Sequence, residues 1–261
     1  MGDLKQGLVI AIALGVALIL SQRVLAQTNS VVQIQPDAWR IVTLANQARA
    51  ASGAEPLQWD PALAVAARQH CLRMAAEGPI SHRYGGEPDL TERAAQAGAH
   101  FSLIEENVAI GPDAAAIHDE WMHSPGHRTN LLNPAVDRVG VALVASRGTL
   151  YAVADYERSV SVLTQAQIES AIARILQGRG IKILNNSEDA RSYCALERAA
   201  PLKSQPGFLM MWQDADLTRL PQSLLDRIAS GHYRQAEVGS CPAQQGEQGA
   251  FTAYRIAVLL Y

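Results

Sequence analysis

The stretch His118-Asp-Glu-Trp-Met-His-Ser-Pro-Gly-His-Arg-Thr-Asn-Leu-Leu-Asn-Pro134 gathers histidines, carboxylates and helix breakers at spacings that can do chemistry. Ile117 and Trp121, four apart, put an apolar stripe on a helix whose opposite face carries Asp113, Ala116, Glu120 and His123. Pro125 and Gly126 are expected to stop that helix, and His127 to project from the turn that follows. A buried aromatic anchor, a breaker pair and a histidine just past it would hold an imidazole rigidly over a cleft. An imidazole fixed in that way can ligate a divalent ion or move a proton near neutral pH. The chain has no His-Glu-x-x-His, no Gly-x-Ser-x-Gly and no Cys/His nucleophile pattern, so the hydrolase classes built on them have no support here.

The elements that must position this stretch follow from hydrophobic spacing. The pattern predicts a first helix over 36–52, with Ile41, Leu44, Ala45 and Ala48 on one face and Gly53 as its stop. A second helix starts at Asp60-Pro61, a cap followed by proline in the first turn, and carries Leu63, Ala67, His70 and Met74 on its apolar face. His70 in that company is expected to be a satisfied core histidine. A Gly/Pro-rich loop over 78–89 contains His82, a short helix runs from Leu90 to Ala97, and Gly111-Pro112-Asp113 opens the helix that leads to Trp121. Val139, Val141 and Leu143 alternate as a strand, Arg147-Gly148 supplies a turn, and Leu150 to Tyr156 returns as the partner. After about Arg158 the pattern restarts. Ile168, Ile172, Ile175 and Leu176 predict a helix ending at Gly178, and 208–212 predicts a strand. A helix over 217–228 and closing strands at 238–241 and 251–261 complete the chain, with no internal repeat or long linker expected.

Trp121-x-x-Ser124-Pro-Gly-His127-Arg-x-Asn130-x-Leu132-Asn-Pro134 resembles the bacterial, SCP-like branch of the CAP superfamily (cysteine-rich secretory proteins, antigen 5, pathogenesis-related 1). Matching segments flank it: Asn46-x-x-Arg49-x-x-x-Gly53, then Leu57-x-Trp59-Asp60, Leu63, Ala67, His70, Met74 and Ser81-His82. The resemblance implies an α/β/α sandwich over residues 37–157, followed by a smaller C-terminal α/β module over 158–261. It also implies a cleft lined by two histidines and two glutamates. His82, Glu106 and His127 stand at three of those positions, with Glu105 replacing a usual glycine before Glu106. The fourth position is Ala116, and Glu120 or Asp113, one turn away, would have to substitute. His82 and His127 are the candidate metal ligands, for a divalent cation such as zinc, and no cofactor is required. Were the protein a hydrolase, Glu106 would be its base.

Composition sets outer bounds. Lys5, an uncharged apolar run from Gly7 to Leu20, then Arg23 and Val24-Leu25-Ala26 read as a secretory signal over residues 1–26, cleaved after Ala26. Its removal takes away Lys5, Arg23 and Asp3, leaving 20 basic and 24 acidic residues and a net charge of −4, which argues against nucleic acid as a partner. No stable membrane span is expected once the signal is cleaved, and the protein is expected outside the cytoplasm, in the periplasm or beyond. Three cysteines allow three pairings; Cys194 with Cys241 is preferred, and Cys71 on an apolar helix face is expected to be a buried free thiol. The function expected is non-enzymatic binding of a small apolar ligand, a cation, a lipid or a cell-envelope partner. The alternatives are a metal-dependent hydrolase of peptide or cell-wall material, and an interaction module acting through its C-terminal part.

Overall fold

The computed structural model describes residues 36–196, 202–242 and 251–261, so the expected signal over 1–26 lies outside the described residues. Residues Asp37–Tyr261 form one compact unit. Its first half opens with α1 (Pro36–Ser52) and the two-residue strand β1 (Gln58–Trp59). Asp60 then caps α2 (Pro61–Glu77), its carboxylate accepting the Ala62 and Leu63 amides, with proline at the first helical position where no amide is needed. A short helix α3 (Leu90–Gln96) follows behind a capping box in which Asp89 and Glu92 each satisfy the other's backbone.

Strand β2 (Phe101–Gly111) leads into α4 (Ala114–His123), capped by the Asp113 carboxylate on the Ala116 amide. The helix stops at His123, just before Pro125 and Gly126, as expected, but the turn expected to carry His127 is absent. Proline instead starts a second helix, α5 (Pro125–Leu132), because its fixed φ and missing amide suit a first turn as well as a break. His127 therefore stands in the first turn of α5. The hairpin β3 (Arg138–Ser146) and β4 (Thr149–Ser159) closes the sheet, turning at Arg147 and Gly148, whose φ values of 51° and 80° match a two-residue turn between twisted strands.

The sheet order is β1-β3-β4-β2, with β1 parallel to β3 and the other neighbours antiparallel. Ala67, Cys71 and Met74 of α2 pack on one face against Val108, Ala142, Tyr151 and Val153. Ile41, Val42 and Ala45 of α1, with Ile117 and Trp121 of α4, pack on the other against Val141, Leu143, Ala152 and Tyr156. This is the expected α/β/α sandwich. Gly140 is what lets α2 lie so close, since a Cβ there would sit 2.1 Å from the Ala64 nitrogen.

The second half comprises α6 (Gln165–Gln177), β5 (Lys182–Ile183), α7 (Glu188–Leu196), β6 (Phe208–Asp214), α8 (Gln222–Ala229), β7 (Gln235–Cys241) and β8 (Tyr254–Leu260). The helix expected over 217–228 starts only after Pro221. Its sheet runs β5-β7-β8-β6, with β5 parallel to β7 and the other neighbours antiparallel. That is the order and direction of the first sheet, strand for strand. The helix layers correspond too: α7 covers one face, while α6 and α8 supply Ile168, Ile172, Leu176 and Leu224 to the other.

The expectation of no internal repeat is therefore corrected at the level of topology. Gly239 repeats the part of Gly140, since a Cβ there would fall 2.4 Å from the Arg191 nitrogen of α7. Ala142, two residues beyond Gly140, packs with Ala67 of α2; Cys241, two beyond Gly239, is bonded to Cys194 of α7. The preferred disulfide thus ties a helix to the sheet where the first half has Ala67 and Ala142 in one apolar cluster. Closing that loop stabilises the fold by about 2–4 kcal/mol on a chain-entropy estimate. Cys71 is a buried free thiol whose pKa burial raises to about 12.

Candidate functional site

Glu106 is the centre of the site. It enters from β2 directly opposite Asp155 of β4 and is 6% exposed. Its Oε2 accepts from Arg93 Nη2 at 2.5 Å and its Oε1 faces His82 Nδ1 at 2.8 Å. Arg93, itself 2% exposed on α3, also donates to the backbone carbonyls of His82 and Pro88. The loop bearing His82 is pinned from beneath by His70, whose ring nitrogens each lie 2.8 Å from an acceptor, Glu87 Oε1 and Ser81 O. His70 is thus the satisfied core histidine expected from its apolar face.

His127 reaches the site through amide chemistry. Asn107, fully buried beside Glu106 in the strand, donates its Nδ2 to the His127 carbonyl at 2.9 Å. Asn130 returns the contact, donating to Asn107 Oδ1 and to the Glu106 carbonyl. The His-Arg-x-Asn spacing is what one helical turn of α5 needs to engage β2 twice. The far end of the stretch is held by Arg49, whose guanidinium donates to the carbonyls of Glu55, Leu131, Asn133 and Val136. Asn133 in turn donates to Glu105 Oε1, so Glu105 serves the scaffold.

Electrostatics separates the two cleft imidazoles. The hydrogen bond to Glu106 is the main cause raising the His82 pKa, with burial opposing it. Burial is the main cause lowering that of His127, and the nearby His82 lowers it further while Glu120 pulls the other way. His82 and Glu120 are thus both near enough to His127 to act on its charge, Glu120 from an exposed position of α4. Asp113 is spent on its helix cap. Ala116 stands one turn before Glu120 on the same helix face. His123 is exposed, its ring turned to the Asp119 carbonyl.

Two participants were not anticipated from sequence. Arg93 falls on the short helix expected from Leu90 to Ala97 and was not singled out there. Asp155 occupies an inward position of β4, in line with Tyr151 and Val153, and burial first, then the charge on Glu106, raises its carboxyl well above the usual carboxylate range. An aspartate on the buried face of an alternating strand was the available signal for it. In the second sheet the corresponding partners are Met211 and Ala257, paired opposite one another across β6 and β8, so this buried carboxylate pair belongs to the first half.

The donor set is short for a tightly held metal. Among the described residues no cluster of three or more His, Cys, Asp or Glu side chains is placed to hold an ion. A zinc centre that works as a catalyst ordinarily takes three protein ligands and an open position. Glu106 does not add to the imidazoles as a ligand: it holds the Nδ1 side of His82 and leaves Nε2 available, the role an outer carboxylate plays behind a metal-binding histidine.

Comparison with known proteins agrees with the fold class of the first half. An uncharacterized Bacillus subtilis protein, YkwD, is 32% identical over 111 residues, covering 41% of this chain and 42% of its own. A Bacillus subtilis membrane protein, YlbC, is 32% identical over 108 residues, covering 40% of this chain and 30% of its own. The chain thus spans less than half the length of either. An extracellular SCP-domain protein of Bacillus anthracis superposes at a TM-score of 0.44 with 27% identity, over 47% of this chain and 40% of its own. Residues 42–156, which hold the sandwich, the Arg49 clamp and the His82–Glu106–His127 cleft, match the family model described as Cysteine-rich secretory protein family, and this segment of the chain is a CAP domain.

Proposed function

We propose that this is an exported, non-enzymatic binding protein whose CAP cleft holds its ligand through His82 and His127. The observation that carries this reading is the commitment of Glu106. A general base needs a carboxylate free to reach a substrate proton. Glu106 is buried, with one oxygen on Arg93 and the other on His82. What the cleft offers is a pair of imidazoles, one supported by a carboxylate and one favoured neutral. Such a pair can hold a divalent cation weakly, with water completing its shell. Export is supported by the Cys194–Cys241 disulfide, which belongs to an oxidising compartment.

Zinc titration by calorimetry tests the reading. Wild type is expected to bind weakly, with affinity falling on acidification. The sign follows from proton competition: the raised His82 pKa keeps that ring protonated to higher pH, and a protonated ring has no lone pair to give. The His82→Ala, His127→Ala double variant is expected to lose the heat, and Ala116→Glu, which adds a carboxylate one turn from Glu120, to tighten binding. Equal heats in wild type and the double variant, or zinc-dependent peptide hydrolysis by the wild type, would overturn the reading.

A further inference from the structure

A second site lies at the other carboxylate of β4. Glu157, two residues beyond Asp155, is 1% exposed, and its Oε2 has no hydrogen-bond partner among the described residues. The other buried glutamates among the described residues are served: Glu106 by Arg93 and His82, Glu169 by Arg191, and Glu237 by the Ala190 amide and the Tyr261 hydroxyl. Glu157 instead borders a recess of about 150 Å³ that it shares with Asp60, His100, Arg138 and Ser161. Asp60 spends one oxygen capping α2, and Asp137 spends both on Ser159. Arg138 forms no ion pair with Glu157 within 4.0 Å among the described residues.

We infer that this recess receives an alkylammonium group, either a small primary amine or the end of a lysine side chain. To be ionised, a buried carboxyl beside Asp60 and Asp137 needs both a hydrogen-bond donor and positive charge, and a hydroxyl ligand supplies only the first. An ammonium brings three donors on a compact head, enough for Glu157 and the second oxygen of Asp60 together. The volume, several times the roughly 30 Å³ share of one water, also takes a few methylenes of stem. The electrostatics agrees. Burial first, then Asp60 and Asp137, push the Glu157 carboxyl up to about 8 against the opposing Arg138. Docking a cation therefore displaces a proton from Glu157 near pH 7.

This site is separate from the His82–His127 cleft, and its test does not depend on that cleft. The full chain is titrated by calorimetry at pH 7 with propylammonium chloride and with Nα-acetyl-lysine methylamide, in phosphate and in HEPES, neither of which is a primary amine. Wild type is expected to bind propylammonium with a heat that differs between the buffers, reporting the released proton. Glu157→Gln, which keeps the shape, is expected to weaken binding at least about tenfold and to remove the buffer difference. Asp60→Asn keeps the capping oxygen and is expected to weaken binding without changing the thermal melt. Binding of both probes identifies a lysine side chain as an acceptable source, and binding of propylammonium only identifies a small free amine. No heat with either probe, or an unchanged affinity in a folded Glu157→Gln protein, would overturn the inference.

Discussion

Trp121→Ala is expected to cost about 3–5 kcal/mol of folding stability, the range for deleting a large aromatic from a packed interior. The side chain is fully buried, and its Nε1 donates to the Val108 carbonyl at 3.3 Å, so the substitution opens a cavity and leaves an acceptor unserved. Denaturant unfolding followed by tryptophan fluorescence and circular dichroism measures the loss. A change below about 1 kcal/mol would mean that the aromatic anchor does not set this packing.

Arg49→Met is the second large effect, expected at about 2–4 kcal/mol. Four backbone carbonyls take their hydrogen bonds from this guanidinium, and three of them, Leu131, Asn133 and Val136, lie at the end of α5 and just beyond it. Each buried acceptor left without a donor costs about 1–3 kcal/mol. Relief of the buried charge offsets part of that sum; the desolvation is real, since burial lowers the Arg49 pKa. Arg49→Lys keeps the charge and is still expected to destabilise, because one ammonium cannot serve a fork of carbonyls. Urea unfolding of the two variants gives the comparison. A lysine variant as stable as wild type would show that charge, not fork geometry, holds this corner.

Much of the fold was legible because hydrophobic period and caps agree with the tertiary structure. Asp60-Pro61 marked the start of α2, Arg147-Gly148 marked the hairpin, and the apolar stripe of Ile117 and Trp121 faced the core. Pro125-Gly126 marked the stop of α4 but hid the start of α5, because proline serves equally as the end of one helix and the first residue of the next. The strand β2 was hidden by its own chemistry: Glu105, Glu106 and Asn107 are poor strand formers by composition, and only tertiary partners such as Arg93, Asn130 and Asn133 make them tolerable there. The repeated topology of the second sheet left almost no trace in residues. What it preserves is geometric, a glycine where a helix crosses the sheet and a buried pair two residues on, and the latter is Ala67 with Ala142 in one half and a disulfide in the other. His82, Glu106 and His127 were singled out through the resemblance to the CAP superfamily, as positions and not as contacts. The role of Glu106 was not legible, since nothing local tells whether a glutamate faces a ligand or an arginine.

Histidine-resolved NMR titration, with and without zinc, addresses the central claim most directly, that Glu106 makes His82 and His127 an unlike pair sharing one cleft. The ring of His82 is expected to titrate above the ordinary histidine value and that of His127 below it, with zinc perturbing both together and leaving exposed His123 unmoved. His127 titrating above His82, or zinc moving neither ring, would contradict the account.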